Sequence, residues 1–254
     1  MAEERIINLR KERTISLTKG AVENGESIKY AFTGLKWGKI LVGGGKPEIV
    51  TKTRRKRTGN WFKRLLGLGE VIEETYQEVV YPNKSFGTTW KNVDLDSSIL
   101  VYDKNKNLID KLYFGHKSLP GLTHFGDDLV GTEGKEVDVD NETIRINFSE
   151  LPKEYNYLVV ILNSYSHDKF DNLPYMQMRI YESSSEKQSS KASRIFAEYR
   201  LDNSADFRDK EALCLGAFFR CGNGWKFSAD GTMTGEKSIS DMSRGSAKKF
   251  VNTL

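Results

Sequence analysis

Along most of this chain, apolar positions alternate with polar ones or fall in short unbroken runs, punctuated by Gly, Asn, Asp and Pro. Alternation with period two, broken by turn formers, predicts strands rather than helices. The candidate strands are Ile6–Arg10, Thr14–Thr18, Ser27–Phe32, Glu48–Thr53, Val71–Tyr81, Ser98–Tyr102 and Leu108–Phe114, followed by Thr143–Phe148, Tyr157–Ser164, Tyr175–Tyr181, Arg194–Leu201, Leu213–Arg220 and Trp225–Ser228. Asp103 to Asn107 (D-K-N-K-N) and Gly222-Asn223-Gly224 have the composition of tight hairpin turns. Many short strands with closely spaced turns predict an all-β protein, a two-sheet β-sandwich. Three regions break the pattern. Leu41 to Pro47 is a glycine-rich connector, Ser183 to Ser193 is a polar loop, and Ser238 to Leu254 fits a short C-terminal helix with Met242, Phe250 and Val251 on its apolar side.

The 254 residues suit one large β domain, and we read 1–254 as a single domain with an insertion at about 40–89. A chain of this size buries enough surface to fold without disulfides. Its two cysteines, Cys214 and Cys221, fit no zinc spacing and favour a reducing compartment. The N-terminal stretch M-A-E-E-R-I-I-N-L-R lacks the apolar core of a secretory signal, and no apolar stretch is long enough to span a bilayer. The expectation is a cytoplasmic protein. A net charge of +4 is too small by itself to point to nucleic acid, which is not the leading expectation for a partner.

The distribution of charge says more than the sum. His124 to Glu142 carries seven carboxylates and one lysine in a chain that is basic overall. Upstream, Asp94 and Asp96 lie two apart, so on a regular strand they share a face. Carboxylates crowded in this way call for a hard cation with oxygen ligands, and calcium is the cofactor expected. The candidate ligands are Asp94, Asp96, Asp127, Asp128, Asp138, Asp140 and Glu142. A solvated acidic loop is the plainer alternative, since charge runs are usually that. The glycines at 126, 131 and 134 and the upstream pair argue for a built site. It is not an EF-hand: Asp103, Asn105 and Asn107 match its first ligand positions, but Leu108 and Phe114 stand where Gly and Glu belong. The donors are oxygen, whereas zinc would want nitrogen and sulfur. Gly43-Gly44-Gly45-Lys46 lacks the spacing of a phosphate loop, and no G-x-S-x-G elbow occurs. No catalytic constellation is present, so the protein is not read as an enzyme.

The second oddity is Thr51 to Gly69, which combines seven basic residues with Trp61, Phe62 and three leucines. As a helix it would place Trp61, Leu65 and Leu68 on one face. Such a segment suits an acidic partner or the surface of an anionic membrane. Arg54, Arg55, Lys56, Arg57, Trp61, Phe62, Lys63 and Arg64 are the candidate contacts. A β-hairpin excursion whose apolar tip packs on its own domain fits equally well.

Several blocks, in order, resemble the TerD-like family of tellurium-resistance and bacterial stress-response proteins. They are Ile7–Lys19, Thr33-Gly34-Leu35-Lys36-Trp37, Asp94-Leu95-Asp96-Ser97-Ser98, Tyr113-Phe114-Gly115, His124-Phe125-Gly126-Asp127-Asp128, Leu151-Pro152 and Gly224-Trp225-Lys226-Phe227. The resemblance implies a two-sheet β-sandwich that binds calcium through its D-L-D and G-D-D loops, here Asp94, Asp96, Asp127 and Asp128. Asp140 and Glu142 correspond to the end of the family's acidic run, in a loop several residues longer. By resemblance, the chain is expected to be a non-enzymatic calcium-binding scaffold for protein partners in a stress or tellurite-resistance system, with peripheral contact to the inner membrane. The alternative is a lipid- or nucleic-acid-binding adaptor working through residues 52–68.

Overall fold

In a computed structural model, residues 14–16, 29–43, 48–57, 71–80, 88–133, 136, 139–183, 194–201 and 205–254 are described. The chain divides into two compact units, Met1–Ile40 with Trp90–Leu254, and Leu41–Thr89.

The larger unit is a two-sheet antiparallel β-sandwich. Its first sheet contains β2 (Tyr30–Trp37), β9 (Ser118–Leu119), β10 (Leu122–His124), β11 (Glu142–Asn147), β13 (Met176–Glu182) and β14 (Arg194–Arg200), in the order β14-β13-β2-β11-β10-β9. The second contains β1 (Thr14–Ser16), β7 (Leu95–Tyr102), β8 (Leu108–Leu112), β12 (Tyr157–Ser164), β15 (Ala212–Cys221) and β16 (Gly224–Thr234), in the order β1-β16-β15-β12-β7-β8. Two short strands, β3 (Ile40–Val42) and β6 (Thr89–Lys91), lie where the insertion leaves and rejoins the chain. The insertion holds β4 (Glu48–Arg57) and β5 (Val71–Val80), paired antiparallel from Glu48↔Val80 to Arg57↔Val71.

Side-chain alternation explains how the sandwich closes. On β2, Ala31, Leu35 and Trp37 face the core between the sheets. Phe32 points the other way and stacks on Tyr181, with ring centroids 5.4 Å apart. On β7, Leu95, Ile99 and Val101 join that core, and on β12 Leu158, Val160 and Leu162 do the same. The alternate residues Leu100, Tyr102, Val159 and Ile161 belong to a second cluster on the outside of this sheet. That cluster is covered by α1 (Ile239–Arg244) and α2 (Ser246–Thr253) through Met242, Ala247 and Val251. Strands covered on both faces read as unbroken apolar runs, which is why Y-L-V-V-I-L-N-S shows no alternation.

The sequence placed most strands, and Tyr157–Ser164 to the residue. β16 reaches Thr234, six residues beyond the expected end, because β15 offers it partners as far as Ala212↔Thr234. β2 runs on to Trp37 because β11 and β13 flank it on both sides. The expected C-terminal helix is two helices split at Gly245, where the Glu236 carboxylate accepts from the Ser246 amide at 2.9 Å. Ser238 caps α1: its hydroxyl accepts from the Asp241 amide at 3.1 Å. The expected strand at Ile6–Arg10 and most of the loop at Ser183–Ser193 lie outside the described residues.

Candidate metal centre

Asp94 and Asp96 flank Leu95 at the start of β7, and the fully buried Leu95 fixes the position of both. The backbone there is tied down twice, with the Tyr165 amide donating to the Asp94 carbonyl at 2.9 Å and the Asp94 amide donating to Ser166 Oγ at 3.2 Å. Asp127 arrives from the loop after β10. Carboxylate oxygens of Asp94, Asp96 and Asp127 lie within 4.8 Å of one another. Glu142, the first residue of β11, faces Ser97 across the core. Its Oε2 accepts from the Ser97 amide at 2.9 Å and the Ser97 hydroxyl at 2.8 Å.

The loop that carries Asp127 has its own scaffold. Asp128 Oδ1 accepts from the amides of Val130 (2.9 Å) and Gly131 (3.1 Å), and its Oδ2 from the Asn141 side chain at 2.6 Å. Asn141 Oδ1 in turn accepts from the Trp37 amide at 3.0 Å, and the Trp37 indole donates to the Val93 carbonyl at 2.8 Å. Trp37 therefore joins the segment leading into Asp94 to the loop leading out of Asp128. Gly131, at φ +72°, passes so close to this indole that a Cβ would come within 2.6 Å of Nε1.

The electrostatics show how crowded the group is. Burial, with the charges of Asp127 and Asp128, raises the Asp94 pKa to about 6. Burial, Asp94 and Asp127 raise Asp96 to about 7, against a hydrogen bond from Asn163 that lowers it. Burial raises Glu142 to about 8, with Asp96 and Asp127 adding to the effect and the two Ser97 bonds opposing it. Four oxygens in this group are buried without a hydrogen-bond partner: Asp94 Oδ1, Asp96 Oδ2, Asp127 Oδ1 and Glu142 Oε1. Buried polar atoms are normally satisfied, so orphaned carboxylate oxygens from four residues are an unusual concentration. An all-oxygen donor set of this charge fits a hard divalent cation, calcium better than a transition metal.

Two of the other expected ligands have hydrogen-bond partners of their own. Asp128 has both oxygens engaged in the loop. Asp140 is in a buried ion pair: Arg179 Nε donates to Oδ1 and Nη2 to Oδ2, both at 3.0 Å. It belongs to the outer face of the first sheet, beneath β13, and not to the carboxylate group. Asp138 lies outside the described residues. Sequence reading missed Asn163, a buried neighbour of the cluster. It is the register partner of Asp96, and only the pairing of β12 with β7 brings the two together.

In the insertion, the basic residues Arg54, Arg55, Lys56 and Arg57 form the end of β4. Their strand is paired with an acidic one, in the register Arg54↔Glu74 and Arg55↔Glu73, and Arg55 Nε lies 3.2 Å from Glu73 Oε1. Part of the positive charge is thus met within the ribbon. Trp61, Phe62, Lys63 and Arg64, and the helix expected around them, lie outside the described residues. Among the described residues, no helix is long and apolar enough to cross a membrane.

Comparison with known proteins agrees with this architecture. The TerD domain model matches residues 71–242. The chain is 25% identical over 244 residues to the stress response protein SCP2 of Bacillus subtilis (strain 168), covering 93% of this chain and 96% of that protein. It is also 25% identical over 153 residues to the tellurium resistance protein TerZ of Serratia marcescens, covering 59% of this chain and 72% of TerZ. Among solved structures, a homologue of the telluride resistance protein TerD from Streptomyces coelicolor A3(2) superposes with a TM-score of 0.50 at 13% identity, over 85% of this chain and 96% of that one. A second structure, of a protein of unknown function, gives 0.51 at 14% identity, over 84% of this chain and 94% of that one. The match to the domain model covers more than half of the sequence and includes Asp94, Asp96, Asp127 and Glu142, so the chain belongs to the TerD domain family.

Proposed function

We propose that this protein is a non-enzymatic, calcium-binding scaffold of a bacterial stress-response or tellurite-resistance system. The observation that carries the reading is the cluster itself. Asp94, Asp96 and Asp127 converge within 4.8 Å, and Asp96 and Glu142 are buried with an orphaned oxygen each. Asp94, Asp96 and Asp127 would hold the ion, with Glu142 beside them. Bound calcium would supply the positive charge that this arrangement lacks. The role in stress or tellurite resistance is carried over from the names of the relatives, at 25% identity.

In this reading the residues around the ion do structural work. Leu95 and Trp37 hold the start of β7, the Asp128–Asn141 bond holds the second loop, and the ion closes one against the other. The result is a rigid rim between two loops of different strands, a surface suited to partner proteins. Ligand binding to the folded state alone also stabilises it by mass action.

The test is a calorimetric titration of calcium into metal-stripped protein, with magnesium as competitor, repeated on Asp94→Ala combined with Asp127→Ala. Saturable calcium binding that magnesium does not abolish, and that the double variant loses, supports the reading. An unchanged calcium isotherm in the variant would sink it.

A further inference from the structure

A cleft of about 580 Å³ opens beside the acidic cluster, next to the N-terminal end of α1. Asp96 and Asn163, paired across β7 and β12, both line it. Asn163 is 3% exposed and its Oδ1 has no hydrogen-bond partner. An unpartnered amide oxygen on a residue that lines a cleft of this size can accept a hydrogen bond from a bound molecule.

The cleft also has an aromatic wall. Phe114 meets Tyr165 edge to face, with centroids 5.6 Å apart, and Tyr113 meets Phe114 in the same way at 5.4 Å. Tyr165 is 60% exposed, a large ring kept open to solvent. Lys111 and Lys237 line the same cleft, and neither has a side-chain ion pair among the described residues. The volume is in the range of small-molecule sites.

We propose that this cleft binds a small anion bearing a planar ring, of the nucleoside monophosphate class, and that calcium in the neighbouring cluster is needed for its capture. The proposal rests on the calcium reading above. The aromatic wall offers a face for the ring. The two lysines offer charge to the phosphate, and Asn163 Oδ1 accepts from an N–H or O–H of the base or sugar. A bare phosphate would leave the aromatic wall without a role, and an uncharged ring would leave the lysines without one. Calcium enters through Asp96, which belongs to both the cluster and the cleft. Without a cation, Asp94, Asp96 and Asp127 repel an anion from the cleft; with a dication among them, most of that repulsion is removed. The two ligands are then coupled, and the coupling is reciprocal.

The experiment is isothermal titration of AMP, GMP, CMP and UMP into the full chain, once in saturating calcium and once in EGTA. Nucleoside monophosphates are chosen because they chelate calcium only weakly. The expected result is saturable binding of at least one nucleotide in calcium, weaker in EGTA by on the order of tenfold. Calcium affinity should rise by the same factor when that nucleotide is present. The matching nucleoside and inorganic phosphate should each bind more weakly than the nucleotide. Lys111→Ala with Lys237→Ala should lose the nucleotide and keep the calcium isotherm, which also reports that the variant is folded. Calcium binding with no nucleotide binding, or nucleotide binding indifferent to EGTA, overturns this inference and leaves the calcium reading standing. No calcium binding overturns both.

Discussion

Replacing Asp96 by Asn should stabilise the metal-free protein and lose most or all of that advantage over wild type in calcium. The side chain is 2% exposed, and burial together with Asp94 and Asp127 holds its pKa at about 7 against an ordinary 3.8. A raised carboxylate favours the folded state while it is protonated. Its contribution is therefore fully present below pH 3.8, is lost as the pH rises towards 7, and is absent above that. Three units at about 1.4 kcal/mol each bound the loss at about 4 kcal/mol. Solvent screening, and repulsion shared with Asp94 and Asp127, reduce it to roughly 2–4 kcal/mol. Asn is isosteric and uncharged, and its amide oxygen can keep the hydrogen bond from Asn163. In EGTA at pH 8, Asp96→Asn should then melt roughly 4–16 °C above wild type. The gap should close as the pH falls towards 4. Calcium at a hundred times its Kd would add about 2.7 kcal/mol to wild type and little to the variant. Thermal denaturation by circular dichroism, over a pH series with calcium and with EGTA, reads all of this. A variant less stable than wild type in EGTA at pH 8 would refute the argument that repulsion and burial strain this carboxylate.

Asp140→Ala should behave in the opposite way. It deprives the buried Arg179 guanidinium of its bidentate partner and should cost about 3–5 kcal/mol by chemical denaturation while calcium affinity stays close to wild type; a selective loss of calcium affinity would make it a ligand after all. Gly34→Ala would put a Cβ 2.2 Å from an Asp140 carboxylate oxygen, and should destabilise by about 1–3 kcal/mol through displacement of that ion pair, as read by urea midpoint. Replacing residues 44–87 by a short Gly/Asn turn should leave the calcium isotherm unchanged, because no residue of the cluster comes from the insertion; loss of binding in a folded variant would contradict it.

The sequence revealed the site unevenly, and the reason is chemical. Asp94, Asp96 and Asp127 were legible as a candidate group because an i, i+2 pair of carboxylates and a Gly-preceded acidic loop stand out in a chain that is basic overall. Asp140 carried the same signal and is occupied by Arg179, on a strand distant in sequence. A carboxylate looks the same in a sequence whether a cation or a guanidinium neutralises it. Asn163 gave no signal at all, since an amide at the end of an apolar strand acquires meaning only from the strand beside it. Trp37 was visible as part of a motif, but not as the residue that joins Val93 to Asn141. The strands were legible where apolar residues alternate with polar ones or run unbroken between turn formers, as in Tyr157–Ser164. Their ends were not, because the length of β16 depends on how far β15 continues beside it.

The two helices over the second sheet also bear on how the protein is made. They follow every strand in the chain, yet Met242, Ala247 and Val251 cover Leu100, Tyr102, Val159 and Ile161. While the chain is being synthesised, both sheets can form before residues 239–253 have left the ribosome. Until then the second sheet shows solvent an apolar face that the finished molecule hides. Nascent chains with such a face are prone to aggregate and are natural clients of chaperones. A stop codon before Ile239 should therefore do its damage in the cell, as insoluble protein, while leaving all the residues of the carboxylate cluster in the sequence.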